Sequence, residues 1–364
     1  MASRTPDTAQ RAKNRTGNFF EDFEIGQEIL HATPRTVSEG DVALYTALYG
    51  SRFAATSAET FARDLGYPRM PADSLLAFHL VFGKTVPDIS LNAVANLGYA
   101  GGRFGVPVYP GDTVSTTSTV IGLKPNSSGR NGNVYVRSVG VNQDGEVALD
   151  YVRWVMVNRR EATEEIGEAV IPDLPGAVAV EDLVVPVEIS GYDEVMKTLA
   201  GSEHLWGDYE VGEKIDHVDG MTIEESDHML ATRMYQNTAK VHFNQFAQKD
   251  TKIGRRLIYG GHVISLARAL SFNGLGNAFA IAAINAGAHA NPTFAGDTIH
   301  AWSEVLERME IPGRTDVGAL RLRTVATKDL PCADFPLRIT EGDKAGAYHP
   351  QVVLDLDYTV LIPR

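Results

Sequence analysis

The sequence predicts a duplicated α+β fold, because helical and antiparallel-strand patterns occur twice along a chain of ordinary composition. Of its 364 residues, 44% are apolar and 22% are charged, which is enough for two domains with real cores. The stretch "FEDFEIGQEI" at 20–29 returns as "WGDYEVGEKI" at 206–215, an offset of 186 residues. A nearly constant offset over about ninety residues indicates a tandem duplication of a unit of roughly 150 residues.

Individual polar residues follow the same repeat. The pairs are Glu39 and Glu225, Asp41 and Asp227, Tyr49 and Tyr235, and Arg69 and Arg255. Further along, "FGVPVYPGDT" at 104–113 meets "ANPTFAGDT" at 290–298, now at an offset of 185. Asp41 and Asp227 stand at the start of helical patterns, where an acidic residue commonly caps the helix, so we expect a structural role for both.

Two helices are predicted in each half. The first covers 38–50 and 222–235, where Ser or Thr followed by acidic residues is typical of a helix start. The second is strongly apolar and covers 72–86 and 260–272. A helix that is apolar on most faces is expected to be buried, so this second helix should lie in the core of each half.

Three strands follow the apolar helix of each half. In the first half they are predicted at 113–123, 133–142 and 146–158, and "NSSGRNG" and "NQDGE" between them favour antiparallel hairpins. The second half has the corresponding strands 298–310, 318–327 and 351–363. Its additional length, at 329–350, is predicted to be a long loop insertion.

We therefore divide the chain into four parts. Residues 1–17 are predicted to form a flexible tail without the apolar segment of a secretory signal. The first domain covers 18–160 and the second covers 204–364. Between them, 161–203 is acidic and contains prolines, which is typical of a linker.

Composition excludes several functions. A net charge of −13 argues against a nucleic-acid binder. The single cysteine, Cys332, can form neither an internal disulfide nor a cysteine zinc site, which favours a reducing cytoplasm. No apolar run reaches the roughly 18 residues of a membrane helix. The histidines show no metal-binding spacing, and "GYAGGRFG" lacks the spacing of a nucleotide-binding loop, so we expect neither metal nor cofactor.

The motif that occurs as "FGVPVYPGDT" and "ANPTFAGDT" resembles the MaoC-like hydratase family, in which such a segment enters the sheet after a central helix. The resemblance implies a double hotdog, in which an antiparallel sheet is wrapped on a central helix twice. Members of this family carry a motif of the form G-D-x-N-P-x-H. In "QNTAKVH", His242 takes the histidine position and Asn237 the aspartate position. In the first half, "GSRFAAT" has Ser51 and Thr56 there, which implies one working and one degenerate site.

The family's chemistry is the addition of water to an α,β-unsaturated CoA thioester. A histidine exchanges protons near neutral pH, and an amide orients water. A helix N-terminus stabilises the oxygen that becomes enolate-like. The resemblance places Gly260 and Gly261, in "IYGGHVISL", at that N-terminus, where glycine permits close approach.

Longer stretches narrow the resemblance to family members that hydrate a branched, carboxylated enoyl-CoA, and it extends over nearly the whole chain after the tail. It implies reversible hydration of mesaconyl-C1-CoA to β-methylmalyl-CoA, as in the ethylmalonyl-CoA pathway and related glyoxylate-linked routes. It also implies a homodimer. Four alternatives stay open: an (R)-specific hydratase for other enoyl-CoAs, a mesaconyl-C4-CoA hydratase, a hotdog thioesterase and a non-catalytic acyl-CoA-binding protein.

Substrate binding is assigned more loosely. Asn237 cannot transfer protons as aspartate does, so Asp73, at the matching helix entry of the first half, is nominated as a substitute carboxylate; its alternative role is to cap that helix. Arg52 or Asn237 is expected to meet the substrate's carboxylate, and an aspartate in place of Asn237 would repel it. Arg103 and Arg153 are further possibilities that no spacing distinguishes.

The CoA end of the substrate is expected near the second apolar helix. Lys240, Arg255 and Arg256 are candidates for its phosphates, since arginine binds phosphate well. Arg268 belongs to the same group, and Tyr259 directly precedes the two glycines. A solvated helix face is the alternative explanation for these basic residues.

Overall fold

The computed structural model describes residues 13–364, so most of the predicted tail at 1–17 lies outside the described residues. The chain contains nine α-helical segments within that range: α1 Glu39–Tyr49, α2 Glu59–Leu65, α3 Ser74–Thr85, α4 Glu194–Ala200, α5 Glu225–Met234, α6 Lys240–Phe243, α7 Gln245–Gln248, α8 Gly260–Leu270 and α9 Phe272–Leu275. A π-helical turn, Val86–Ser90, extends α3. None of the helices in 13–364 has the length and apolar character to span a bilayer.

The strands form one large antiparallel sheet. They are β1 Glu28–Leu30, β2 Arg35–Thr36, β3 Ala93–Phe104, β4 Thr113–Pro125, β5 Asn131–Val141, β6 Val147–Asn158, β7 Lys214–Thr222, β8 Ala280–Ala288, β9 Thr298–Glu310, β10 Val317–Lys328 and β11 Val352–Pro363. Their order is β1-β4-β5-β6-β3-β8-β11-β10-β9-β7, with β2 beside β4. Strands of the first half therefore occupy one side of the sheet and strands of the second half the other.

The two apolar helices, α3 and α8, lie in the core as predicted. From Leu75 to Thr85 every residue of α3 is buried, as is every residue of α8 from Gly261 to Leu270. Helix α3 packs on β4, β5 and β6, and α8 packs on β7, β9, β10 and β11. Each half is thus one buried helix wrapped by antiparallel strands, which is the arrangement expected of a double hotdog.

The equivalent helices α1 and α5 are capped differently at their N-termini. Ser38 caps α1 in a reciprocal box with Asp41, whose carboxylate accepts the Ser38 N–H at 2.8 Å. Asp227 does not repeat this, because the N-cap residue of α5, Glu224, makes no side-chain cap and Asp227 accepts from the neighbouring Ser226 hydroxyl. The capping role expected for both residues is confirmed for Asp41 and is wrong for Asp227.

The halves meet around a local two-fold relation. Strands β3 and β8 pair in the middle of the sheet, with Ala100 opposite Ala286. Residues separated by the repeat offset then touch each other: the hydroxyls of Tyr49 and Tyr235 lie 2.8 Å apart. Likewise His79 on α3 hydrogen-bonds Ser265 on α8, its counterpart, at 2.8 Å. Because equivalent residues meet only at a two-fold axis, the halves are related as the two subunits of a symmetric dimer.

The segment 161–203, predicted as a linker, is packed onto the folded halves. Val170 forms a β-bridge with Leu123 of β4. Leu183, Val187 and Met196 are buried in a cluster that includes side chains from both halves. The predicted insertion at 329–350 does connect β10 to β11 without a strand of its own in the sheet.

Candidate active site

A cavity of about 320 Å³ lies where the two halves meet. The second half contributes residues from 237 to 263, from 289 to 293, and Val353. The first half contributes α3 and its π-helical turn, together with residues of β3 and β6. Of the candidates from the sequence, the cavity is lined by Asn237, His242, Tyr259, Gly260 and Arg153.

His242 lies on α6, with one ring nitrogen committed to the backbone. Its Nδ1 is 2.9 Å from the carbonyl oxygen of Leu257, so Nδ1 carries the proton and donates it. Nε2 is therefore the unprotonated nitrogen that remains available to the cavity. Burial lowers the pKa of His242 to about 4, against a smaller opposing effect of the Leu257 hydrogen bond, so the ring is neutral at physiological pH. A neutral ring with a free nitrogen is the form a general base requires.

Asn237 lies in the turn after α5, where it is buried and lines the same cavity. Its backbone N–H donates to Thr232 at 3.0 Å, and its Oδ1 accepts the N–H of Ala239 at 3.2 Å. That bond uses one of the two acceptor positions of Oδ1, and the amide Nδ2 donates no hydrogen bond within the described part of the chain, so Nδ2 is available to the cavity. Asn237 can therefore donate a hydrogen bond to a water or a substrate oxygen, but it has no proton-transfer role.

Helix α8 begins at the cavity without a side-chain cap. Its N-cap residue, Tyr259, directs its own N–H to Nε2 of His228 at 2.9 Å, which leaves the N–H groups of Gly260 and Gly261 as the first donors of the helix. A Cβ at Gly260 would lie 2.3 Å from His289, and one at Gly261 would lie 2.4 Å from Tyr259. Only glycine fits at both positions, and both N–H groups carry the favourable end of the helix dipole.

In the first half, the equivalent helix start, that of α3, is capped by a side chain. Asp73 stands at the position equivalent to Tyr259, and its carboxylate accepts the N–H of Leu75 at 2.8 Å. Leu75 is the counterpart of Gly261, so Asp73 occupies the very donor that α8 leaves free. Asp73 does not line the His242 cavity, and its position is that of a helix cap rather than of a substitute carboxylate.

A second, smaller cavity of about 40 Å³ lies at the equivalent place in the first half. It is lined by Thr56, Ser74 and Phe104, which stand at the positions of His242, Gly260 and His289. Val184 and Pro186 of the 161–203 segment also line it. The first half therefore lacks both histidines, and the connecting segment packs against the site that remains.

His289 is a cavity residue that the sequence analysis missed. Its Nε2 is 3.2 Å from the hydroxyl of Tyr99, and its ring packs against Gly260. Burial lowers the pKa of His289 to about 4, with a further contribution from His242. The repeat already held the signal, because His289 in "AGAHANP" aligns with Phe104 in "GGRFGVP".

Arg153, on β6, reaches the cavity from the first half and is completely buried. One Nη donates to the hydroxyl of Thr85 at 2.6 Å, and the guanidinium lies 4.3 Å from the centre of the Phe82 ring. The sequence offered Arg153 only as one of several possibilities for a carboxylate. The structure places it in the cavity that contains His242.

The other predicted substrate-binding residues lie elsewhere. Arg52 is exposed and stacks on Phe272 at 4.4 Å, so the role expected for it at the substrate carboxylate has no support from its position. The remaining ones lie outside the cavity lining: Lys240 is exposed, Arg255 stacks on the Phe294 ring at 3.8 Å, Arg256 pairs with Glu225 at 2.7 Å, and Arg268 is buried over the Phe53 ring at 3.5 Å. Arg103 also lies outside the lining.

Histidines other than His242 share its buried surroundings. Burial lowers the pKa to about 4 for His217, His242 and His289, to about 3 for His79 and His262, and to about 2 for His228. Among residues 13–364, no group of three or more His, Cys, Asp or Glu side chains is arranged to hold a metal ion. Because burial lowers their pKa values, these histidine rings are neutral in the folded protein at physiological pH.

The free energy of unfolding is consequently expected to fall steeply in mild acid. Below pH 6.5 these histidines bind protons in the unfolded chain but stay neutral in the folded one, so stability present above pH 6.5 is lost as the pH falls towards 4. Each contributes at most about 1.4 kcal/mol per pH unit, a limit approached only where the unfolded histidine is fully protonated and the folded one is still neutral. Urea unfolding followed by circular dichroism at pH 8, 6 and 5 measures this, and a level free energy from pH 8 to pH 5 would contradict it.

A sheet wrapped on two buried helices, with a neutral histidine and an uncapped helix start at one cavity, defines a MaoC-like double-hotdog hydratase. Comparison with known proteins identifies the family within this class. The family model of mesaconyl-CoA hydratase matches residues 4–332, and the chain belongs to that family. It is 67% identical over 353 residues to the beta-methylmalyl-CoA dehydratase of Chloroflexus aurantiacus, covering 97% of this chain and 99% of that protein. It is 60% identical over 354 residues to the mesaconyl-CoA hydratase of Cereibacter sphaeroides, covering 97% and 100%.

Solved structures confirm the double hotdog. A MaoC domain dehydratase from Chloroflexus aurantiacus superposes with a TM-score of 0.93 at 66% identity, covering 97% of this chain and 99% of that one. A protein of Mycobacterium tuberculosis described as having a double hotdog fold gives a TM-score of 0.74 at 22% identity, covering 96% and 99%. The second similarity shows the fold alone, whereas the first belongs with the family assignment.

Proposed function

We propose that this chain catalyses the reversible hydration of mesaconyl-C1-CoA to β-methylmalyl-CoA in the cavity between its halves. The observation that carries the proposal is the meeting of His242 and the free start of α8 in one cavity. The family and the names of its relatives supply the substrate class. The proposal also assigns the acyl group to the wall contributed by the first half, whose own site lacks the histidines.

The reaction begins with a water between Asn237 and His242. The Asn237 amide orients the water by donating a hydrogen bond, and Nε2 of His242 takes its proton as the oxygen attacks the β-carbon. As the electrons move, negative charge develops on the thioester oxygen. The N–H groups of Gly260 and Gly261 stabilise that oxygen, because they are fixed, uncapped and aligned with the helix dipole. Protonation of the α-carbon completes the addition, and the protonated His242 is the available acid.

Loss of absorbance at the enoyl-thioester band on adding protein to mesaconyl-C1-CoA tests this directly. Mesaconyl-C4-CoA and crotonyl-CoA are run in parallel, and released CoA is measured with a thiol reagent. Fast loss with the C1 ester and without free CoA supports the proposal. Faster turnover of either other ester would replace the substrate, release of CoA would indicate a thioesterase, and tight binding without turnover would indicate a binding protein.

Replacing Asn237 by aspartate is expected to distinguish carboxylated from plain substrates. A negative charge next to the acyl group repels the mesaconyl carboxylate in a cavity of low dielectric, whereas crotonyl-CoA carries no charge there. We expect kcat/KM to fall roughly tenfold more for mesaconyl-C1-CoA than for crotonyl-CoA, which corresponds to about 1.4 kcal/mol. Initial rates with both substrates give the comparison. Equal losses would show that the amide serves only the water.

The cellular setting and assembly form part of the same proposal. A cytoplasmic location accords with Cys332, which is a buried, free thiol in the insertion between β10 and β11. The homodimer expected from the family stays a prediction, and the molar mass in solution from light scattering checks it.

A further inference from the structure

Arg153 is a buried cation without an anion. Its side chain is 0% exposed, yet within residues 13–364 it forms no ion pair with an acidic side chain. Its partners are neutral: Thr85 at 2.6 Å, Ser90 at 3.3 Å and the Asn96 oxygen at 3.5 Å. Taking a charge out of water is costly unless a counter-charge accompanies it, so such a group is expected to serve a ligand or to pair with one.

Two donor groups, one on this cation and one on its neighbour, have no acceptor in the described part of the chain. They are Nε of Arg153 and Nδ2 of Asn96. Asn96 presents its oxygen to Arg153, which leaves its NH₂ group unpaired, and both residues line the His242 cavity. A buried group of donors that lacks acceptors is complementary to a carboxylate, which only accepts hydrogen bonds at neutral pH.

The second half does not repeat this cation. Tyr99 lies opposite Arg153 in the sheet, and the equivalent pair in the second half is Ile284 opposite Tyr358. The hydroxyl of Tyr358 accepts from Thr324 at 3.2 Å. The second half has its own buried arginine on α8, Arg268, but that guanidinium donates to the backbone carbonyl of Ala278, whereas Nε of Arg153 has no acceptor in the described part of the chain.

We propose that Arg153, together with Asn96, binds the free carboxylate of the acyl group and thereby selects carboxylated over plain enoyl-CoA thioesters. This inference rests on the proposed hydratase function. In mesaconyl-C1-CoA the carboxylate is attached to the β-carbon, across the double bond from the thioester. The start of α8 then holds one end of the conjugated group and Arg153 holds the other. Pairing with Arg153 also neutralises the negative charge next to the carbon that water attacks.

Binding of two stable thioethers tests the site without any turnover. S-(3-carboxypropyl)-CoA carries the carboxylate, and S-butyl-CoA is its uncharged counterpart. By isothermal titration calorimetry, the wild-type chain is expected to favour the carboxylated ligand by about tenfold or more. Arg153→Met should abolish that preference while S-butyl-CoA still binds, and Arg153→Lys should keep part of it. Thermal unfolding of each variant shows whether it is folded.

A milder change guards against a folding defect in Arg153→Met. Asn96→Ala removes one unpaired donor and leaves the cation, so it should reduce the preference several-fold, roughly 2–5 times. Equal weakening of both thioethers in these variants would mean that Arg153 only supports α3 and its π-helical turn, and would overturn the proposal. So would a wild-type chain that binds the two thioethers equally.

The same data separate this proposal from the function on which it rests. A wild-type chain that prefers the carboxylated thioether but does not hydrate mesaconyl-CoA would retain the carboxylate site and overturn the proposed reaction. A chain that hydrates mesaconyl-C1-CoA equally well with and without Arg153 would retain the reaction and overturn the assignment of Arg153.

Discussion

Replacing His242 by alanine is expected to lower kcat/KM for mesaconyl-C1-CoA by about a thousandfold. The substitution removes the free Nε2 that takes the proton of water, and general acid–base catalysis typically contributes about 10²–10⁴-fold. The residual rate would come from the start of α8 and from the position of the bound substrate. Initial rates of absorbance loss measure the effect, and urea unfolding of the variant shows that the fold is intact.

The first half provides a matched control for this experiment. Thr56 occupies the position of His242 in the small remnant cavity, so Thr56→Ala should leave the rate near that of the wild type. His289→Ala is the informative companion, because His289 is the second histidine that lines the cavity of His242. Activity that survives in His242→Ala but disappears in His289→Ala would move the base to His289.

Gly260→Ala is expected to give the second large loss, about a hundredfold in kcat/KM. The new methyl group would lie 2.3–2.6 Å from three atoms of the His289 ring, so the ring must move into the cavity. Removing one oxyanion donor from its working position commonly costs about 10²–10³-fold. Alanine favours a helix more than glycine does, but displacing the packed His289 ring outweighs this gain, so the free energy of unfolding is expected to fall by about 1 kcal/mol. Thermal unfolding of the variant shows whether it is folded, so that the rate is compared between folded proteins.

Ser74→Ala is the control for this change in the first half. Ser74 opens α3 at the position equivalent to Gly260, where Asp73 already caps the helix. Its substitution should change neither the rate nor the thermal midpoint appreciably. If Gly260→Ala retains full activity, the N–H groups at the start of α8 do not stabilise the thioester oxygen.

Much of the fold could be predicted from local patterns. The first helix was expected over 38–50 and is Glu39–Tyr49, and the strand expected over 298–310 is Thr298–Glu310. Both segments have a clear periodicity and clear turn signals at their ends, which are properties of neighbouring residues in the sequence. The internal repeat then supported each assignment with a second copy.

The central strands were harder to predict, because their composition reflects contacts distant in the sequence. Strand β3 includes "GYAGGRF", which lacks the β-branched residues of a typical strand. A Cβ at Gly98 would lie 2.4 Å from the Trp154 ring, and one at Gly102 would lie 2.9 Å from a carbonyl of Ile284 in the other half. Gly98 makes room for a ring on the neighbouring strand β6 and Gly102 for the backbone of the other half, and periodicity holds no information on either approach.

The residues of the candidate site also differ in whether the sequence could predict them. His242 and Asn237 lie on one short segment with a recognisable spacing, so sequence alone brought them together. Arg153 and His289 enter the cavity from β6 and from the end of β8, and only the fold brings them beside His242. Arg52 was predicted to lie in the cavity because of its charge alone. The arginine that lines the cavity is Arg153, and charge does not distinguish the two in the sequence.

The contact between Tyr49 and Tyr235 shows that the halves are related like the subunits of a dimer. This relation has a consequence for the evolution of the site. In a dimer of identical chains, every mutation appears in both sites at once, so an arginine that benefits one cavity is imposed on the other. Joining the two units in one chain removes that coupling. In this chain the larger cavity is lined by Arg153 and two histidines, and the smaller one by Phe104 and part of the connecting segment. The first half thereby contributes to the wall of a cavity whose histidines come from the second half.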